Sequence, residues 1–565
     1  MHRQAQRRPG GPDQESHGQH RHELHPGARR PTGDQPQPLD RRILGLAAVL
    51  LCGAVPALTD ATVVNVAVES LARDLGGGSV AGAQWVVTGY LLATTAGIPL
   101  VGWGLDRFGA RALWTLALAV FAAGSALCGA AWSLESLVAF RIAAGVGGGL
   151  VLPLLQAIMA DAAGRLRVGR AMLLLTVPGQ VVMILAPVLG GLLIEALGWR
   201  WTFLAQVPLC VAAAVLGWWR VPPGRRHGST RFDAFGFALL LPALTMLLYG
   251  LAGVRDGGSG GMAGRAAAPA MAGAAETAGT GAAGTAAMAD TAATGAAMQS
   301  AATAVPPALW TLAGAALLAG FIAHALRGGT APLLDLRLFA QRSFAVAAAL
   351  LFVTGLSTWA PLFLLPLFYQ RVLGADALDA GMLLAPQALG MALGMAAAGR
   401  LADRAAAARP LIVGGTALAV ATTLPFALAP RGVADTALGA ALLARGFGLG
   451  LAHVPVMPIL YSGVARESIG HATSLASVLQ RGGAAFGTAA LAVVLSAQLC
   501  AAAGAHMVHP DPIAAALGAQ AADPDALAAA FHRAFWWVVA FTALAWVPAA
   551  VHRPADARRS PSALH

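Results

Sequence analysis

The amino-acid sequence predicts an all-α polytopic membrane protein with fourteen spans, arranged as two parallel six-helix halves with two extra spans between them. Three observations carry that expectation. The 565-residue chain is 57% hydrophobic and only 11% charged, against about 25% charged in an ordinary soluble domain. Apolar runs of ~20 residues, the length that crosses a bilayer as a helix, recur along nearly the whole chain and are too long and continuous for barrel strands. A pattern of Gly, Asp and Arg at helix ends occurs twice, in the same order.

The expected spans lie at 43–68, 80–103, 112–131, 135–160, 171–195, 199–219, 233–253, 307–326, 344–370, 378–400, 410–429, 434–460, 468–499 and 531–551. Residues 1–42 are rich in Arg, His, Pro, Gln and Gly, a composition that cannot bury a core, so they read as a disordered tail. His17, His20, His22 and His25 belong to that solvated tail rather than to a transition-metal site. The tail is too long for the n-region of a cleaved leader, so span 1 reads as an uncleaved signal anchor. The first half is 43–220, and the extra spans occupy 221–343. Within that stretch, the low-complexity Ala/Gly/Thr/Met segment 254–306 is a flexible loop outside the membrane. The second half is 344–552, and 553–565 is a second tail.

Arginine sets the orientation. The chain has no Lys, and all 37 basic residues are Arg. With both termini inside, the inner loops hold Arg107, Arg111, Arg165, Arg167, Arg170, Arg220, Arg225, Arg226, Arg231, Arg327, Arg337, Arg342, Arg400, Arg404, Arg409 and Arg466, whereas the outer loops hold few. The net charge of +11 therefore reflects one membrane face and not a nucleic-acid surface. Arg without Lys, with abundant Ala and Gly, points to a GC-rich bacterial genome and hence to a bacterial cytoplasmic (inner) membrane. The four Cys are scattered in or near apolar segments, with no metal-site or disulfide spacing, and read as small packing residues.

The repeat is explicit. Gly102-Trp-Gly-Leu-Asp106-Arg107 ends span 2 and Gly399-Arg-Leu-Ala-Asp403-Arg404 ends span 10. Two spans after each comes an Arg opening a Gly-rich helix, Arg141 in RIAAGVGGGLVLP and Arg445 in RGFGLGLAHVP. Parallel halves around a midplane cavity are a transporter architecture. Gly residues four apart (Gly145/Gly149, Gly390/Gly394, Gly446/Gly450, Gly483/Gly487) fit close helix contacts.

Asp60 lies inside the first apolar segment, in LTDATVVNVAVE. A carboxylate near the middle of a membrane helix costs ~3 kcal/mol on insertion scales and by default marks an ion or substrate pathway. Arg141 and Arg445 each need a carboxylate, carbonyl or water. His324 and His453 read as packing histidines, and Pro455 and Pro458 mark a break in the helix of His453.

These residues resemble the major facilitator superfamily, and specifically its fourteen-span drug:proton antiporter branch (the EmrB/QacA type), over most of 43–490. Asp60-Ala-Thr62-Val-Val-Asn65-Val-Ala is similar to that branch's D-x-T-x-V-N-V-A motif, with Glu69 as a second acid nearby. Gln84-Trp85-Val-Val-Thr88-Gly-Tyr90 matches the opening of span 2. Gly102, Asp106, Arg107, Gly109 and Arg111 match the superfamily's signature loop, with Gly104 for the usual Leu. The resemblance implies that this loop locks the halves on the cytoplasmic side, with Asp161 as acidic partner, Arg170 at a following basic position and Arg141 in proton transfer. Ala186, Pro187, Gly190 and Gly191 resemble the antiporter motif of span 5, with Ala for its first Gly, and a bend there is expected where the halves meet. Gly198-Trp199-Arg200-Trp201-x-Phe203 and Val207-Pro208 match the start of span 6, with Gln206 for the common Asn. Arg481 opens an R-x-x-G-x-x-x-G-like segment in span 13, and Asp403, Arg404 and Arg445 repeat the first-half motifs.

The resemblance implies a proton-coupled secondary transporter that exports drugs or other small lipophilic compounds. Proton coupling and substrate would then be carried by Asp60, Asn65, Glu69 and Arg141. The alternatives are a dedicated exporter of one metabolite or antibiotic, an importer left open by the weakened span 5 motif, and a non-transporting sensor. An enzyme is not expected, because no nucleophile–base pair or metal cluster is visible. No G-x-x-x-x-G-K loop occurs, so no nucleotide or other cofactor is expected. The expected partners are a small-molecule substrate, protons and lipid. Some relatives also use a periplasmic adaptor, on which these residues do not bear.

Overall fold

The structure, a computed structural model, describes residues 40–75, 80–164, 168–224, 232–255, 307–327, 334–375, 377–401, 408–428, 435–502 and 524–551. Most of the 254–306 segment, both polar tails, Asp403 and Arg404, and the side chains of Asn65, Glu69 and Pro187 lie outside that description.

Among the described residues every regular element is a helix, and a helix lies at each position where a span is expected. The first half comprises α1 (Arg41–Asp74), α2 (Val80–Gly97), α3 (Leu100–Phe108), α4 (Ala110–Gly129), α5 (Leu134–Ala163), α6 (Val168–Leu197), α7 (Arg200–Leu204) and α8 (Gln206–Arg220). The extra helices are α9 (Ala234–Arg255) and α10 (Pro307–Arg327), packed on each other. The second half comprises α11 (Arg342–Arg371), α12 (Ala377–Leu401), α13 (Ala408–Leu428), α14 (Asp435–His453), α15 (Val456–Tyr461), α16 (Ile469–Ala502), α17 (Pro524–Ala543) and α18 (Trp546–Val551). Among the described residues 11 helical stretches are long and apolar enough to cross a membrane. The helices α2, α6 and α9 stand at the remaining expected positions.

Proline marks three of the helix breaks. Lacking an N–H, Pro removes the bond to the carbonyl four residues back. Pro208, Pro458 and Pro548 each lie four residues after a break, at Leu204–Ala205, Val454–Pro455 and Leu544–Ala545. The helix α17 starts at Pro524, earlier than the expected 531, because Pro at the first helical position loses nothing.

The internal repeat is built from glycine contacts. In the first half α2 lies on α5, where a Cβ at Gly145 would come within 2.8 Å of the Tyr90 carbonyl and one at Gly149 would overlap the Thr94 carbonyl. In the second half α12 lies on α14 in the same way, with Gly390 and Gly394 against the carbonyls of Leu443 and Phe447, and Gly446 and Gly450 against those of Gln387 and Met391. The pair α1 and α6, with Gly190 against Val63, corresponds to α11 and α16, with Gly483 against the Phe352 carbonyl. Without a hydrophobic drive between helices in lipid, such backbone proximity is what holds them.

Among the described residues, the buried clusters that span both halves lie at one end. At the end carrying the signature loop, one buried cluster takes residues from both halves, among them Leu154, Met159 and Met172 with Phe344, Met457 and Leu475. A second cluster there packs Leu173 and Val177 of α6 on Met395 and Ala398 of α12. At the opposite end the clusters are separate, one of Val64, Leu71, Leu137 and Phe203 and the other of Phe368, Phe426, Phe531 and Phe535.

Candidate functional site

Asp60 lies ~29 Å along the 34-residue α1, near its middle. Its side chain is 0% exposed, and Arg141 of α5 is 1% exposed. Arg141 Nη1 donates to Asp60 Oδ1 at 2.7 Å and to Oδ2 at 2.6 Å. Its Nε donates to the Val86 carbonyl at 3.1 Å, and its guanidinium stacks 4.1 Å above the Tyr90 ring and 5.4 Å from that of Phe203. Gln206, the first residue of α8, donates from Nε2 to Asp60 Oδ1 at 3.1 Å and to the Thr202 carbonyl at 2.8 Å. Its Oε1 is buried with no hydrogen-bond partner among the described residues. Three segments of the first half thus converge on one carboxylate, while the Gly145 and Gly149 contacts hold α5 against α2, which supplies Val86 and Tyr90.

Such a buried pair contributes little net stability, because desolvation offsets its attraction, but removing one partner leaves a bare charge. The arrangement is suited to changing charge. A proton on Asp60 would turn an acceptor into a donor, and the unpaired Gln206 Oε1 stands beside it to accept.

The signature loop closes the joined end. Gly109, at φ 79°, ends α3 and starts α4, a backbone conformation that favours glycine. Asp106 Oδ2 lies 3.1 Å from His471 Nε2 of α16, in the other half. A Cβ on Gly102 would come within 2.6 Å of the same imidazole, so the Gly admits His471. Asp161, at the end of α5, is bound by Arg466 Nε of the second half. The expected acidic partner of the lock therefore crosses between the halves, but to Arg466. Arg111 instead ties the loop to its own half, donating from Nε to the Val221 carbonyl at 2.9 Å, and Arg107 is exposed.

In span 5, Ala186 and Gly190 are buried and Gly191 faces open space. The helix α6 is continuous, and Gly190 packs on α1 of its own half; the contact with the second half is made near its start by Leu173 and Val177. Of the described residues of the motif, Gly190 packs on Val63 of its own half.

Arg445 is 1% exposed and meets only neutral acceptors among the described residues: Thr423 Oγ1 at 3.1 Å, Gln387 Oε1 at 3.0 Å and the Ser357 carbonyl at 2.7 Å. Arg481 of α16 reaches the first half, 3.5 Å from Thr94 Oγ1. His324 pairs with Asp233 at 3.0 Å, tying α10 to the start of α9. Sequence reasoning singled out neither His471 nor the carbonyl of Val86, and Gln206 stood out only as a replacement for Asn.

Known proteins agree with this architecture. The sequence profile of the Major Facilitator Superfamily matches residues 50–488. A multidrug resistance protein B homolog of Mycobacterium tuberculosis is 33% identical over 475 residues, covering 83% of this chain and 80% of its own. An uncharacterized MFS-type transporter of Bacillus subtilis, YhcA, is 25% identical over 452 residues, covering 80% of this chain and 76% of its own. The crystal structure of the human organic anion transporter TETRAN shares the fold, with a TM-score of 0.51 at 17% identity over 90% of this chain and 100% of that one. With matching sequence, paired six-helix halves and signature loop, the chain belongs to the major facilitator superfamily.

Proposed function

We propose that the protein is a proton-coupled multidrug exporter, taking small lipophilic compounds out of the cell in exchange for protons. The observation that carries this reading is the buried Asp60–Arg141 pair with Gln206 beside it. The mycobacterial relative, named for multidrug resistance, supports the substrate class. The arginine distribution supports a cytoplasmic signature loop and cytoplasmic termini. The joined end is then the inner one, and the described state faces outward.

In that state Asp60 takes a proton from outside. Protonation abolishes the charge that Arg141 holds, frees the guanidinium and lets the acid donate to Gln206 Oε1. The halves then part at the joined end, Asp106–His471 and Asp161–Arg466 separate, and the proton leaves inward as substrate binds. One charge crossing ~150 mV supplies ~3.5 kcal/mol, which sustains a gradient of ~300-fold.

The test is efflux from energised cells expressing wild type or Asp60→Asn, using a panel of toxic lipophilic acids, neutral compounds and cations, with and without a protonophore. Efflux that stops in both the variant and the uncoupled cells is expected. Efflux that persists in uncoupled cells contradicts proton coupling.

A further inference from the structure

Arg481 is left over from the coupling mechanism. It projects from α16 of the second half toward α2 of the first, where its Nη1 lies 3.5 Å from Thr94 Oγ1. That is a long contact to a neutral hydroxyl, whose own proton is already donated to the Leu91 carbonyl at 2.8 Å. Among the described residues no carboxylate forms an ion pair with Arg481. The residue is partly open to solvent and stands ten positions beyond His471 on the same helix, so it sits ~15 Å from the Asp106–His471 contact, toward the middle of the membrane. One helical turn along α2 from Thr94 is Tyr90, over whose ring Arg141 stacks.

The charge balance of this region is therefore uneven. Asp60 is neutralised by Arg141, whereas Arg445 meets only neutral acceptors. Arg481 adds a further positive charge where the two halves meet. A guanidinium at that depth is costly unless an acceptor meets it. Its planar fork of donors matches a carboxylate or sulfonate in two parallel hydrogen bonds.

We propose that Arg481 binds the anionic group of the substrate, so that the compounds carried are lipophilic organic acids. This deepens the exporter reading above and rests on it. The acid group bridges Arg481 and the Thr94–Tyr90 face of α2, next to the proton site. Exchange of a monoanion for one proton moves two charges, whereas exchange of a monocation for one proton moves none. A membrane potential alone then accelerates export of the anion.

The test uses the full chain in proteoliposomes under an imposed proton gradient. The probes are 2-naphthoate and 1-pyrenebutyrate, each beside its neutral amide, with ethidium as the cation. The proteins are wild type, Arg481→Lys and Arg481→Glu, matched by size-exclusion profile and thermal unfolding. The expected result is that the acids move at least tenfold faster than their amides and are speeded by a potassium diffusion potential. Arg481→Lys keeps a third or more of that rate, and Arg481→Glu loses it at least tenfold, a far larger loss than for the slower amides. Transport of ethidium or the amides with none of the acids overturns the assignment and leaves the exporter standing. So does an Arg481→Glu effect equal for every probe, which marks Arg481 as a tie between the halves. If no probe moves under the gradient, the exporter reading falls and takes this assignment with it.

Discussion

Arg141 and Arg445 occupy matching places in the two halves, each on a Gly-rich helix packed against the second helix of its half, and each is 1% exposed. Arg141 meets a carboxylate at 2.6 Å, while Arg445 meets a hydroxyl, an amide and a carbonyl. Where α1 brings Asp60, α11 brings the backbone of Ser357. The backbone scaffold is thus duplicated and the titratable group is not. On the proposed mechanism, duplication supplies two halves that rock against each other, and the carboxylate of Asp60 makes that rocking depend on a proton.

The largest expected effect separates the two arginines. Asp60→Ala or Arg141→Met leaves a buried charge without its partner, at ~3–5 kcal/mol, and abolishes transport. Arg445→Met removes a charge whose partners are all neutral, so its thermal unfolding in detergent shifts less and uphill transport survives. The double variant Asp60→Leu with Arg141→Met recovers much of the stability and none of the transport. Equal damage from Arg141→Met and Arg445→Met would break the comparison.

Gln206→Leu deletes a hydrogen bond to a charged group, worth ~1.5–3 kcal/mol, and the acceptor assigned to the protonated acid. Slower transport with binding of substrate retained is expected, read as kcat against KM. Gly145→Ala and Gly390→Ala test the shared scaffold, because each Cβ would press on a facing carbonyl. Both should destabilise by ~1–3 kcal/mol, measured by thermal unfolding. A loss confined to one half would show that the repeat is not built alike. The smallest effect belongs to Asp161→Asn or Arg466→Gln, an exposed pair worth under ~1 kcal/mol. These changes should leave stability nearly unchanged and raise the reactivity of a cysteine placed on the inner end of α6.

Much of the fold was legible because membrane helices announce themselves by length and composition. The break after His453 was also legible from Pro455 and Pro458, and the same rule at Pro208 and Pro548 accounts for breaks that were not expected. Asp60 and Arg141 each stood out as a charge in an apolar run. Their pairing did not, since they are 81 residues apart on α1 and α5 and only the packing of these helices sets the geometry. Gln206 carries no charge to betray it, and His471 matches no motif. Asp161 was read as the acid of the lock, but the choice of Arg466 depends on how the halves meet, which spacing along one chain does not encode.

The most direct test of the account is uphill transport by Asp60→Asn in proteoliposomes, set against equilibrium exchange of the same probe, 2-naphthoate or ethidium, whichever wild type carries. The account predicts that exchange across a vesicle at equal pH continues while accumulation driven by a pH gradient is lost. Accumulation at the wild-type level in Asp60→Asn would contradict it and place the coupling proton elsewhere.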